Sequence, residues 1–137
     1  MVFLDASAII YLLEGDQALQ RSTRQILQPL RTDDPSRPLA VSALSLLECR
    51  VQPLRQADAT RLDLYDRFFG DPGLSTIDID RTAIELATVL RAEHGLRTPD
   101  AIQAACALGT APDAQFVTGD ADFRKIPNLQ VHLIQTP

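Results

Sequence analysis

Four acidic residues stand out by what surrounds them. Asp5 interrupts an apolar run in VFLDASAII, Glu48 lies in SALSLLECR, Asp100 in LRTPDAIQAA and Asp120 in FVTGDADF. Each has a small hydroxyl residue close by: Ser7, Ser45, Thr98 and Thr118. An ionised carboxylate among apolar residues is costly unless something pairs with it. If the four converge in space they repel one another, and without a cation some stay protonated. A divalent ion removes that conflict. Oxygen ligands without His or Cys suit Mg²⁺ or Mn²⁺ rather than zinc. Such ions serve phosphodiester displacement, where a pair roughly 3.5–4 Å apart clamps the attacking and leaving oxygens. The chemistry needs no dedicated histidine base. His94 and His132 lie away from the acidic motifs and read as structural or surface residues.

Taken singly, each acid also has a local reading. Asp5 can cap a helix starting near Ser7. Glu48 follows Ser45 by three residues, the capping-box spacing. Asp100 falls in a first helical turn, where the helix dipole favours negative charge. Asp120 can cap a short helical turn. Convergence of all four is what local readings leave unexplained.

Convergence depends on the elements that carry them. Short apolar runs predict strands at Val2–Leu4, Leu39–Val41, Thr76–Ile79, Gln115–Val117 and Gln130–Leu133. Helical periodicity falls between them, at 7–13, 17–28, 43–51, 57–69, 80–94 and 99–108. Asp80 is the expected N-cap of the fifth helix and Gly95 its stop; Thr98-Pro99 reads as an N-cap followed by proline at the first helical position. The turn-rich stretches Arg31–Pro38 and Gly70–Gly73 read as loops. Strands alternating with helices imply a parallel sheet covered by helices, with the functional crevice beyond the carboxyl ends of the strands. Asp5 and Asp120 fall at those ends, and Glu48 and Asp100 in helices that follow.

Composition bounds the function. The 137 residues have the size of one domain, and 45% hydrophobic with 23% charged residues is ordinary for a globular chain. A net charge of −5 argues against nucleic-acid binding by charge alone but not against a nuclease whose acids surround a metal. The basic residues are 12 Arg and one Lys, and Arg suits bidentate phosphate contacts. Cys49 and Cys106 belong to no CxxC or Cys/His cluster and read as small buried hydrophobes. No apolar run reaches membrane-spanning length, and the N-terminus has no basic region preceding its apolar stretch, so a cytoplasmic location is expected. The GxGxxG, Walker A and GxSxG patterns are absent, and an aspartyl phosphatase would need a second acid where Ser7 stands.

The ordered set FLDASAII, SALSLLE, LRTPDAIQAA and FVTGDADF resembles the PIN-domain nucleases, most closely the VapC toxins of toxin–antitoxin pairs, over essentially the whole chain. The resemblance implies an α/β fold, a PIN-like three-layer sandwich with a central, mainly parallel β-sheet flanked by helices, in one domain over residues 1–137. It implies metal ligation and catalysis by Asp5, Glu48, Asp100 and Asp120, supported by Ser7, Thr98, Thr118 and Asp122. Gly119 departs from the family pattern, which often has Asn there. The resemblance also implies Mg²⁺- or Mn²⁺-dependent cleavage of RNA, a homodimer, no membrane association, and silencing by a VapB-like antitoxin. Apolar helix faces at 17–28 and 57–69 are candidate landing surfaces for it, and Arg97 a candidate phosphate contact. Two other readings use the same fold: a binding or regulatory module with a weakened site, and an RNA-processing nuclease that is not a toxin.

Overall fold

Five short segments become strands: β1 (Val2–Leu4), β2 (Leu39–Ser42), β3 (Leu74–Ile77), β4 (Gln115–Thr118) and β5 (Gln130–Leu133). In the computed structural model, which describes residues 1–136, they form one sheet in the order β3-β2-β1-β4-β5, every neighbouring pair parallel. Pro137, the last residue of the expected domain, lies outside the described residues. The helices are α1 (Ala6–Glu14), α2 (Gln17–Asp33), α3 (Ala43–Arg55), α4 (Ala59–Phe69), α5 (Arg81–His94) and α6 (Thr98–Thr110), with a 3-10 turn at Ala121–Lys125.

The inner strands β1, β2 and β4 are mostly apolar and buried because both faces of the sheet are covered there, while the edge strands β3 and β5 keep exposed polar residues. Along β1, Phe3 points into one core and Val2 and Leu4 into the other. The Phe3 side is closed by α5, α6 and the 3-10 turn, with Phe116 between Phe3 and Phe123 at centroid distances of 5.2 and 4.6 Å. The opposite side collects Ala8 and Ile9 of α1, Leu30 of α2, Cys49 of α3 and Tyr65 of α4. Three layers result, as expected for an α/β sandwich. β2 and β3 build out from one side of β1, β4 and β5 from the other. The strand order therefore reverses between β1 and β4, which opens a crevice at their carboxyl ends.

Most elements match their sequence patterns, and the differences have local causes. Asp80 caps α5 by accepting from the Ala83 amide (2.8 Å), and Gly95 ends it in the left-handed region, at φ 67°. Helix α2 runs through Pro29 to Asp33, because Leu30 beyond the proline is anchored in the core, so of the 31–38 stretch only residues 34–38 are loop. Strand β3 starts two residues early: Leu74–Ile77 lie in register with Leu39–Ser42, and Ile79 packs outside the strand. Ser42, not Ser45, caps α3, accepting from the Leu44 amide (3.1 Å), so the capping-box reading of Ser45 and Glu48 does not hold. Thr98 is not an N-cap either. Arg97 takes the extended cap position, and Thr98 is the exposed first residue of α6. Both cysteines are buried free thiols, as expected. Among the described residues no helix is long and apolar enough to cross a membrane.

Phe116 lies at the centre of this packing and Val89 faces outward on α5. Phe116→Ala is expected to lower unfolding free energy by about 3–5 kcal/mol in urea titrations, and Val89→Ala to change it by no more than about 0.5 kcal/mol.

Candidate active site

Asp5 follows β1 directly and caps α1. Its Oδ1 accepts from the Ala8 amide (2.9 Å) and the Ser7 hydroxyl (2.7 Å), and its Oδ2 accepts from the Thr118 hydroxyl (2.6 Å). The capping reading was correct, and it does not exhaust the residue. Both hydroxyls in turn accept from the turn after β4: Ser7 Oγ from the Gly119 amide (2.9 Å), Thr118 Oγ1 from the Asp120 amide (3.0 Å). Two relays thus run from backbone N–H through hydroxyl to carboxylate, and each bond polarises the next. They fasten the end of β1 to the end of β4. Asp5 is only 5% exposed, and none of these partners carries a positive charge.

The other acids are carried by different elements. Asp100, in the first turn of α6, is 8% exposed and pairs with Arg97 Nε at 3.2 Å. Asp120 caps the 3-10 turn by accepting from the Asp122 amide (2.9 Å), and exposed Asp122 lies 3.6 Å from Lys125 Nζ. Glu48, half-buried in mid-α3, accepts from Gln103 Nε2 (2.8 Å). Among the described residues, the Thr98 hydroxyl joins none of these hydrogen bonds. Gln103 was missed in the sequence. Its only signal was position, one helical turn after Asp100 and so on the same face. His132 is bound to Gln115 (2.7 Å) in β4, consistent with a structural role.

Charge ties Asp5, Asp100, Asp120 and Asp122 together. Burial pushes the Asp5 carboxyl up to about 6, against the hydrogen bonds from Thr118, Ser7 and Ala8, and the charge of Asp100 adds to the rise. Burial also raises Asp100; Arg97 opposes this, while Asp120 and Asp122 reinforce it. Asp5 thus feels Asp100, and Asp100 feels Asp120 and Asp122. The donor set, carboxylate oxygens in mutual repulsion, fits a hard divalent cation in kind. Among the described residues, no three His, Cys, Asp or Glu side chains are drawn close enough to hold an ion, because Asp100 is turned to Arg97 and Glu48 to Gln103.

Gly119 has a steric role, not a conformational one. Its φ lies outside the left-handed region, but a Cβ there would come within 2.4 Å of Tyr11 Cε2. The ring of Tyr11 occupies the space that a side chain at 119 would need. Elsewhere, large exposed apolar side chains form a stripe on α3, with Leu47 62% and Leu54 68% exposed beside Val51, and Leu62 of α4 lines the same groove. The apolar face of α2 is directed into the core instead, through Ile26, Leu27 and Leu30.

The sequence model of the PIN domain family matches residues 2–129. None of the curated proteins compared matches the chain. Among solved structures, the fold is similar to VapBC2 from Rickettsia felis bound to a DNA fragment from its promoter, with a TM-score of 0.77, 20% identity and coverage of 98% of this chain and 100% of that one. A toxin–antitoxin complex from Klebsiella pneumoniae gives a TM-score of 0.73 at 22% identity, with both chains covered in full. The sarcin–ricin loop cleaving toxin VapC20 from Mycobacterium tuberculosis gives 0.71 at 16% identity, covering 96% of this chain and 99% of that one.

Two outcomes test this geometry in protein kept in chelator. The folded pKa of Asp5 exceeds its unfolded value, so the folded state binds the extra proton between about pH 4 and 6. Stability therefore falls as pH rises through that window, by up to about 3 kcal/mol from this group. Asp5→Asn escapes the loss: it is expected to be more stable than wild type by about 1–3 kcal/mol at pH 7.5, with the gap closing below pH 4 in denaturant titrations. Gly119→Ala is expected to destabilise by about 1–3 kcal/mol, and by much less when Tyr11→Ala is also present.

Proposed function

The chain belongs to the PIN domain family, and on that premise we propose that it is a metal-dependent endoribonuclease, a VapC-type toxin restrained by a VapB-like antitoxin. The observation that carries the reading is Asp5, a carboxylate buried without a cationic partner at the carboxyl end of the central strand and in the field of a second buried acid, Asp100. A structural role alone gives no reason to bury two such charges together. Asp5, Glu48, Asp100 and Asp120 would hold Mg²⁺ or Mn²⁺, within one nuclease domain spanning residues 1–137. A bound ion of this type supplies an activated water and charge neutralisation at the phosphodiester.

The remaining work falls to this chain's own residues. Ser7 and Thr118 hold the Asp5 carboxylate in one orientation. Asp122 adds negative charge at the mouth, and Thr98 an exposed hydroxyl beside it. Arg97, 74% exposed in its side chain, is free to swing from Asp100 to a phosphate of the RNA. RNA as substrate class is supported by the sarcin–ricin loop cleaving neighbour, and an antitoxin partner by the VapBC complexes. The α3–α4 apolar stripe is the better landing surface for that antitoxin than α2, whose apolar face is spent on the core. Ile84 and Val89, exposed on α5, offer apolar surface for a homodimer.

Purified protein freed of antitoxin is expected to cleave a structured RNA with Mg²⁺ or Mn²⁺ and to stop on chelation. Asp5→Asn and Asp100→Asn should each lose more than the roughly 100-fold that follows loss of a ligand's outer hydrogen-bond partner. Mn²⁺ should bind the wild type in calorimetry and bind Asp100→Ala far more weakly. Cleavage that survives chelation, or a wild type that neither cuts RNA nor binds Mn²⁺, would favour the binding-module reading and sink this one.

A further inference from the structure

Gln103 lies one turn beyond Asp100 on α6 and is 2% exposed. Its amide nitrogen has two hydrogens, and both are used across the helix interface: Nε2 donates to Ser45 Oγ at 3.0 Å and to Glu48 Oε1 at 2.8 Å. Ser45 and Glu48 are three residues apart on α3, so one amide spans one turn of the facing helix. Gln103 Oε1 has no hydrogen-bond partner. Turning the amide over would aim that oxygen at the Glu48 carboxylate, oxygen against oxygen. The fork therefore serves the acid and leaves its own carbonyl unpaired, an arrangement that packing alone would not select, since an apolar side chain fills the same space without an orphaned acceptor.

Glu48 is the candidate ligand that most needs such help. Asp5 is short and clamped by three donors, and Asp120 is held by the turn it caps. Glu48 has a longer, half-buried side chain on a helix side, with several rotamers open to it. We propose that Gln103 is a positioning residue for Glu48: it holds one carboxylate oxygen through α6 and leaves the other to the crevice. The role rests on the nuclease reading given above. Because the amide keeps the same charge at any pH, it presents N–H groups to Glu48 throughout, and it ties Glu48 to the helix that carries Asp100.

The test is a double-mutant cycle of Gln103→Met and Glu48→Ala, read by Mn²⁺ calorimetry, thermal melting and RNA cleavage. Gln103→Met, similar in size and without donors, is expected to weaken Mn²⁺ binding about 10–100-fold and to lower kcat while KM for RNA stays within about twofold. In the Glu48→Ala background the same substitution should change Mn²⁺ affinity by less than about twofold. Gln103→His, which retains a ring N–H donor, should recover most of the Mn²⁺ affinity. If Gln103→Met does not fold, Gln103→Asn carries the same expectation, because it is one methylene too short to reach Glu48. Equal losses in both backgrounds, or wild-type Mn²⁺ affinity in Gln103→Met, overturn the role. The two levels separate cleanly. If wild type binds Mn²⁺, Asp5→Asn does not, and Gln103→Met binds like wild type, only the role of Gln103 falls. If wild type binds no Mn²⁺, the nuclease reading falls with it.

Discussion

The crevice depends on how a buried negative charge is held at the end of the central strand. Asp5 cannot lie among Phe3, Leu4 and Ala8 without compensation, and the compensation is built from two hydroxyls and one amide, not from a cation. Ser7 comes from α1 and Thr118 from β4, so satisfying Asp5 also sets the junction of the two strands between which the sheet order reverses. The turn from Gly119 to Asp120 is drawn in because its amides feed those same hydroxyls. Gly119 permits the close approach by leaving room for Tyr11. One electrostatic constraint thus organises the start of α1, the end of β4 and the turn that carries Asp120.

The same constraint governs the other acids. Asp100 and Glu48 stand on two different helices, α6 and α3, and each is given a protein partner, Arg97 for one and Gln103 for the other. These partners differ in kind. Arg97 is exposed and charged and can exchange Asp100 for another anion at modest cost. Gln103 is buried and neutral, and its bonds are part of the contact between α3 and α6. One acid is held by a contact that a ligand can displace and the other by a contact that belongs to the fold.

Local physics made much of the architecture legible in the sequence. β1 and β5 have the bounds their apolar runs predict, Asp80 and Gly95 delimit α5, and the alternation of strand and helix implies a parallel sheet. Errors came where packing overrode a local rule. The helix expected over 17–28 runs on through Pro29 to Asp33, because burial of Leu30 outweighs the proline. Ser45 fits a capping box and is instead a buried contact of Gln103, and Thr98 fits an N-cap but stands exposed one residue inside its helix. Glycine at 119, a departure from the family pattern, proves to be space for a ring.

The sequence by itself determined the types of chemistry available: four acids with hydroxyl neighbours, no histidine near them, and an order of motifs that resembles a nuclease family. These are properties of residue identity and short spacing, which survive without knowledge of the fold. Only the tertiary structure decided which groups meet. That Thr118 serves Asp5, that Gln103 serves Glu48 and that Tyr11 fills the place of a side chain at 119 involve partners 55 to 113 residues apart. No local pattern encodes such distances along the chain. They are fixed when the sheet closes, because only then does a buried polar group meet the donors that can satisfy it.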